Sequence, residues 1–175
     1  MLKDLCWGLI PFWAKDEEIG YRMINARAET LKEKPSFRSS LKRKRCLVLA
    51  DFFYVWQKIP GTARKQPMCI RLRDQEPFVF AGLWDAWKKP DDVEVESYTI
   101  ITCEPNDLMR SIHNRMPVIL KTENYDQWLD RKNEDVDGLA KLLVPYPEKE
   151  MAAYPVSTIV NNPKFDDPRC IKSVK

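Results

Sequence analysis

Arg45-Cys-Leu-Val-Leu-Ala-Asp-Phe-Phe-Tyr-Val-Trp56 is the stretch whose reading decides the fold class. Cys46-Leu-Val-Leu-Ala and Phe52-Phe-Tyr-Val-Trp56 are rich in β-branched and aromatic residues, which suit a pleated, half-buried surface and predict two strands. Alternation along Phe53-Tyr-Val-Trp56 puts aromatics on both faces of the second. The texture continues downstream. After the Pro60-Gly61 turn signal, Met68-Cys-Ile-Arg-Leu, Phe78-Val-Phe-Ala-Gly-Leu-Trp and Ser97-Tyr-Thr-Ile-Ile-Thr-Cys read as further strands. The acidic loop Asp91-Asp-Val-Glu-Val-Glu96 divides the last two.

On the N-terminal side, Cys6-Trp-Gly-Leu-Ile-Pro-Phe-Trp13 reads as a short strand leading into a turn at Pro11. Ala26 to Lys34 holds good helix formers and predicts a helix, which Pro35 interrupts before a further helical turn over Ser36–Leu41. On the C-terminal side, Pro105-Asn106-Asp107 is a start signal for a short helix toward Ile112. Met116 to Leu120 is a strand. Thr122 is the expected cap of a helix whose Tyr125, Trp128 and Leu129 share a face. A second short helix starts at Val136, Val156–Val160 is a final strand, and Asn161 onward is loop. With no repeat and no low-complexity linker, the reading is one mixed α+β domain over residues 1–175. It has a β-rich sheet or barrel core from 6 to 160, peripheral short helices, and a tail over 161–175.

Composition narrows the classes. The 175 residues carry a net charge of +3, too small and too spread to identify a nucleic-acid binder by itself. Lys32, Lys34, Arg38, Lys42, Arg43, Lys44 and Arg45 are nonetheless clustered, as a solvated cationic helix end or as a phosphate-contacting edge. No run approaches the ~18–20 apolar residues that span a bilayer, and the N-terminus lacks the pattern of a signal peptide. The expectation is a cytoplasmic protein, or a nuclear one in a eukaryote, without membrane contact. Cys6, Cys46, Cys69, Cys103 and Cys170 form no C-x-x-C pair, and one histidine does not complete the usual zinc patterns. No metal and no cofactor is expected, and the thiols are expected to be reduced.

The residues that carry chemistry fall in four places. Arg110-Ser-Ile-His-Asn-Arg-Met-Pro-Val-Ile-Leu120 holds the single histidine, the side chain whose ordinary pKa lies nearest neutrality. Taken alone, His113 reads as a helix-end cap. Asn25-Ala-Arg27-Ala-Glu29 alternates an amide, a guanidinium and a carboxylate. An extended backbone would place them on one face, whereas a helix would pair Asn25 with Glu29. Trp7-Gly-Leu-Ile-Pro-Phe-Trp13 and Phe53-Tyr-Val-Trp56 add large aromatics. Stacking surfaces, arginines and a proton carrier together suit a single-stranded nucleic acid.

These motifs, with Ala81-Gly-Leu-Trp, Ile101-Thr-Cys-Glu-Pro-Asn and His113-Asn-Arg-Met-Pro-Val-Ile-Leu, occur in an order that resembles the SOS response-associated peptidase (SRAP) family, the abasic-site processing proteins. The likeness runs from Cys6 to about Val160. It implies a β-rich α+β fold and a DNA-repair role. In the family, a self-processed N-terminal cysteine traps the aldehyde of an abasic site in single-stranded DNA as a thiazolidine. By the same resemblance, Asn25 and Arg27 match positions holding the lesion and its phosphate, and Trp7 and Trp56 match aromatic DNA contacts. His113 matches the acid/base histidine, Arg115 a backbone-binding arginine, and Thr102 a residue of the same pocket.

Two departures shape the expectation. The family's Met-Cys-Gly-Arg start is not in this sequence, where Leu2 follows Met1, and Val55 stands where the family's Gly-Phe-Tyr-Glu-Trp has glutamate. Phe52 replaces the glycine. The resemblance therefore implies binding of single-stranded or junction DNA at abasic sites without covalent cross-linking. Residual lyase chemistry would need an amine such as Lys58. The alternatives are an active processing enzyme in which a longer form supplies the cysteine, and a decayed product without a DNA role. A shortened N-terminus would also bare sheet edges, which a homodimer would cover.

Overall fold

The computed structural model describes residues 2–174. Its strands are β1 (Cys6–Trp7), β2 (Asn25–Arg27), β3 (Arg45–Ala50), β4 (Phe53–Lys58), β5 (Lys65–Leu72), β6 (Phe78–Lys88), β7 (Glu94–Cys103), β8 (Met116–Pro117), β9 (Ile119–Leu120) and β10 (Met151–Pro155). The helices are short: α1 (Pro35–Arg43), α2 (Asp107–Arg110), α3 (Tyr125–Leu129) and α4 (Val136–Ala140), with several 3-10 turns. The class is a strand-rich α+β fold with two sheets and no closed barrel among the described residues. The chain divides into two compact units. One comprises residues up to Val48 with Val79–Cys103 and Pro117–Val144; the other comprises Leu49–Phe78, Glu104–Met116 and the chain from Pro145.

The first unit is built on β7. Its apolar, β-branched run pairs antiparallel with β6 from Gly82↔Ile100 to Lys88↔Glu94, and β6 lies next to β3. Gly82 is required there, because a Cβ would come within 2.8 Å of Cys46 Sγ. Burial pushes the Cys46 thiol up to about 12. On its other edge β7 pairs in parallel with β1 (Cys6↔Ser97, Trp7↔Tyr98) and then with β2 (Asn25↔Ile100, Arg27↔Thr102). Between them the chain makes an excursion, with Gly8 at φ +119° and its would-be Cβ 2.7 Å from the Gly20 carbonyl. Only glycine fits that neck.

Arg45 ties the helices of this unit to β3. The residue is 6% exposed, and its guanidinium donates to the carbonyls of Leu41 (2.7 Å) and Lys42 (2.5 Å) at the end of α1. It also donates to the carbonyls of Trp128 (2.5 Å), Asp130 and Asn133 (3.1 Å) around the end of α3. The cation stacks over the Trp128 ring, whose indole N–H donates to the Cys46 carbonyl at 3.0 Å. Burial lowers the Arg45 pKa from its usual value, and the nearby Asp130 opposes this.

The second unit holds the antiparallel sheet β10-β5-β4. Tyr54, Cys69 and Tyr154 stand in one cross-strand row. The two tyrosine hydroxyls donate to the carbonyls of Cys170 (3.1 Å) and Ile171 (3.0 Å). The segment after Asn161 is thereby fastened to the sheet, and it includes a 3-10 turn at Pro168–Ile171 and a bridge between Val156 and Ser173.

Three local expectations are corrected. The helix read over Ala26–Lys34 is instead β2 followed by a 3-10 turn at Ala28–Thr30. Pairing with β7 claims the backbone and buries Ala26 to 1%, overriding helix propensity. Thr122 does not cap α3. It opens a 3-10 turn at Thr122–Asn124 that precedes the helix. The final strand is Met151–Pro155, paired with β5, whereas Thr158–Asn161 is a 3-10 turn whose cap, Ser157, accepts from the Ile159 N–H. The β-branched residues there misled the reading, because Ser157 offers a local partner that ends the strand.

Two outcomes follow for stability. Urea melts of Arg45→Ala are expected to show a loss of at least about 3 kcal/mol, since each buried carbonyl left without its donor costs about 1–3 kcal/mol. Arg45→Lys recovers only a minor part, because an ammonium does not reproduce the planar fork. The folded state also holds the Cys46 proton more tightly than the unfolded state does. Its contribution is full below the ordinary thiol pKa of ~8.5 and is lost as pH rises toward 12. Cys46→Ala should flatten the decline in urea midpoint between about pH 8 and 11; an unchanged slope counts against this assignment.

Candidate nucleic-acid interface

In the first unit, the parallel attachment to β7 settles the alternative left open by the sequence. β2 is extended, so Asn25 and Arg27 project from one face, both exposed, while Ala26 points into the core. Thr102, paired with Arg27 in register, donates its hydroxyl to the Ala26 carbonyl at 3.4 Å. Thr102 thus secures β2 to β7. Trp7 ends β1 on the same edge of β7, 56% exposed, with its indole N–H donated to the Ile24 carbonyl at 2.8 Å. The structure brings Trp7, Asn25, Arg27 and Thr102 together along one line.

The excursion between β1 and β2 presents a second feature. The Ile10 N–H donates to Ser97 Oγ (2.8 Å), and the Phe12 N–H to the buried Asp85 carboxylate (3.0 Å). The Trp87 indole donates to the Ala14 carbonyl (2.7 Å). Three side chains from the sheet therefore fix the turn that carries Phe12 and Trp13, which remain 59% and 47% exposed. Large aromatics held open on a rigid turn suit stacking. They line a groove of about 830 Å³ whose other wall is Lys32 and the Pro35, Arg38 and Lys42 face of α1.

In the second unit, α2 places the histidine. Asn106, 8% exposed, caps α2 by accepting from the Met109 N–H (2.9 Å) and donates to the Tyr146 carbonyl (2.7 Å). The His113 N–H closes the following turn on the Met109 carbonyl at 2.8 Å. The His113 ring is exposed. Its Nδ1 lies 3.1 Å from the Arg115 N–H and 3.2 Å from the Arg115 carbonyl. The N–H serves a ring whose Nδ1 is bare, and the carbonyl serves one whose Nδ1 carries a proton. Arg115 is held by Glu104 at 3.2 Å.

β4 turns one of its two faces to this cluster. Trp56 shares its face with Tyr54, and Val55 shares the opposite face with Gln57. Gln57 Nε2 donates to the Ser111 carbonyl at 2.8 Å, so Val55 lies on the face turned to the histidine-bearing turn. An apolar side chain there neither gives nor takes a proton. Trp56, Val55, His113 and Arg115 belong to one unit; Trp7, Asn25, Arg27 and Thr102 belong to the other. Sequence reading passed over Glu104, although it lies within the Ile101–Asn106 motif; it offered the Trp7–Trp13 aromatics as stacking surfaces but not the groove they share with α1. Among the described residues no group of three or more His, Cys, Asp and Glu is placed to hold a metal ion.

Comparison with known proteins matches residues 1–163 to the family described as SOS response associated peptidase (SRAP). The abasic site processing protein YoqW of Bacillus subtilis (strain 168) is 54% identical over 173 residues, covering 98% of this chain and 76% of that protein. The abasic site processing protein HMCES of Xenopus tropicalis is 34% identical over 197 residues, covering 99% of this chain and 58% of that protein. A crystal structure of a protein from Bacteroides thetaiotaomicron superposes with a TM-score of 0.88 at 34% identity, over 97% of this chain and 75% of that one.

Because His113 is the single histidine, its ring state can be read without assignment. Long-range proton–nitrogen NMR spectra of the neutral ring are expected to show the proton on Nε2. A predominant Nδ1-protonated tautomer would show that the contact to the Arg115 carbonyl prevails over the one from its N–H.

Proposed function

The chain belongs to the SOS response associated peptidase (SRAP) family, and we propose that it binds single-stranded or junction DNA at abasic sites without forming the covalent thiazolidine. The observation that carries this reading is β2, where Asn25 and Arg27 project side by side from an extended segment anchored on β7. In this proposal Asn25 positions the ring-opened lesion and Arg27 takes its phosphate through charge-assisted hydrogen bonds. Trp7 and Trp56 stack on flanking bases, and Arg115 contacts the backbone. His113 is the proton carrier. The exposed cations Arg38 and Lys42 opposite the Phe12-Trp13 turn extend the phosphate track.

The restriction to binding rests on Val55. Valine occupies the strand face that turns to the histidine, so the carboxylate chemistry the resemblance assigns to that position has no group to perform it. A second reading, abasic-site processing with cross-linking, draws on the relatives named for that activity; by the resemblance it requires a terminal amine and thiol.

The test is a single-stranded oligonucleotide with one abasic site, run in parallel on native and denaturing gels. A native shift without a covalent band is expected, and a band surviving denaturation overturns the binding-only reading in favour of processing. Arg27→Ala is expected to weaken the shift about 10-fold, the loss of one charge-assisted contact worth about 1.5 kcal/mol. Each phosphate contact on a single strand contributes about 0.7 to the slope of log affinity against log salt. Replacing Arg38 and Lys42 together by serine should therefore lower that slope by about 1.4.

A further inference from the structure

We propose that Asn161 is a positioning residue that holds the Trp56 indole as a base-stacking platform, so that this contact reads the face of a base and not its identity. The inference rests on the DNA-binding reading above. The Trp56 indole N–H donates to Asn161 Oδ1 at 2.8 Å across 105 residues of sequence. An indole carries one donor and no acceptor. With that donor engaged inside the protein, Trp56 has no hydrogen bond to offer a base edge, and only its π-face remains. Trp56 is 38% exposed, enough to present a face.

Asn161 is itself held. It ends the 3-10 turn Thr158–Asn161, begun by the Ser157 hydroxyl cap, and the following N–H, of Asn162, closes on the Ile159 carbonyl at 3.1 Å. Just before the turn, the Val156 carbonyl accepts from Gln66 Nε2 at 2.8 Å, and the Val156 N–H donates to the carbonyl of Pro67 at 3.0 Å. Pro67 is the register partner of Trp56. The acceptor and the ring are therefore anchored to the same point of the sheet. Tyr54, two residues earlier on the same face of β4, sits with its ring centroid 6.4 Å from that of Trp56 and flanks the indole. A ring fixed at its N–H edge and flanked by an aromatic loses little freedom on stacking, which is the advantage of a preorganised platform.

The experiment compares two oligonucleotides by fluorescence anisotropy. One has a central tetrahydrofuran abasic analogue flanked by thymines; the other is tetrahydrofuran throughout, with the same phosphates and no bases. The ratio of their affinities isolates stacking. In wild type the base-bearing strand is expected to bind more tightly, and adenine flanks should give the same ratio as thymine flanks within about 2-fold, since every base has a π-face. Both Trp56→Ala and Asn161→Ala are expected to lower the ratio about 5–10-fold. Asn161→Asp keeps an acceptor for the indole and should restore it, because its added charge weakens both strands alike and cancels in the ratio. Asn161 is exposed, so its variants should melt as wild type does. If Trp56→Ala lowers the ratio and Asn161→Ala does not, or if neither does, the platform is overturned while DNA binding stands. If wild type binds neither strand, the DNA-binding reading fails and this inference falls with it.

Discussion

Backbone pairing to one edge of β7 holds both β1 and β2, and the display of Trp7, Asn25 and Arg27 depends on it. Neither two- nor three-residue segment would persist as a strand by itself. Each becomes one because β7, already paired with β6 along its other edge, offers a straight row of donors and acceptors. The excursion between them is closed by glycines at 8 and 20, whose backbones approach more closely than any side chain permits. A substitution at that neck would move Trp7 relative to Asn25 without touching either.

The same unit shows how buried polar groups serve an exposed surface. Asp85 is 2% exposed, yet it is fully engaged, by Lys44 at 2.5 Å and by the N–H groups of Phe12 and Ala86. A buried carboxylate is tolerable only with such partners. Here the partners are the turn bearing Phe12 and Trp13, and a lysine adjacent in sequence to Arg45. Through Arg45, the ends of α1 and α3 are bound to the start of β3, which orients the α1 face bearing Arg38 and Lys42. In the second unit the logic is repeated with an amide: buried Asn106 caps α2 and so sets where the His113 turn begins.

Much of the β content was legible because apolar alternation and β-branched runs are local signals. Arg45–Ala50, Phe53–Trp56, Phe78–Trp84 and Ser97–Cys103 all fall in strands, but β6 runs on to Lys88 and β7 begins at Glu94, so half of the stretch read as an acidic loop is strand. Asn106 was legible as a cap for the same local reason. The segment Ala26–Lys34 was misread because its helix propensity is local, whereas the β7 edge that captures its neighbour Asn25 is some seventy positions away in sequence. Val156–Val160 was misread for the reverse reason: β-branched composition suggested a strand, but Ser157 supplies a hydroxyl that caps a turn on the spot.

For the site, residue types and motif order marked the candidates: one histidine, arginines beside an amide, and tryptophans in apolar segments, while the carboxylate expected at Val55 came from the resemblance to the family. Those are properties of side-chain chemistry and motif order, and no folding is needed to read them. Tertiary structure alone decided their geometry. It made Asn25 and Arg27 share a face by holding them extended, and it gave His113 Nδ1 a backbone donor and a backbone acceptor within reach. It also brought Asn161 to the Trp56 indole. Such contacts join residues whose sequence separation carries no periodic trace, so they exist only once the sheets have fixed the distances.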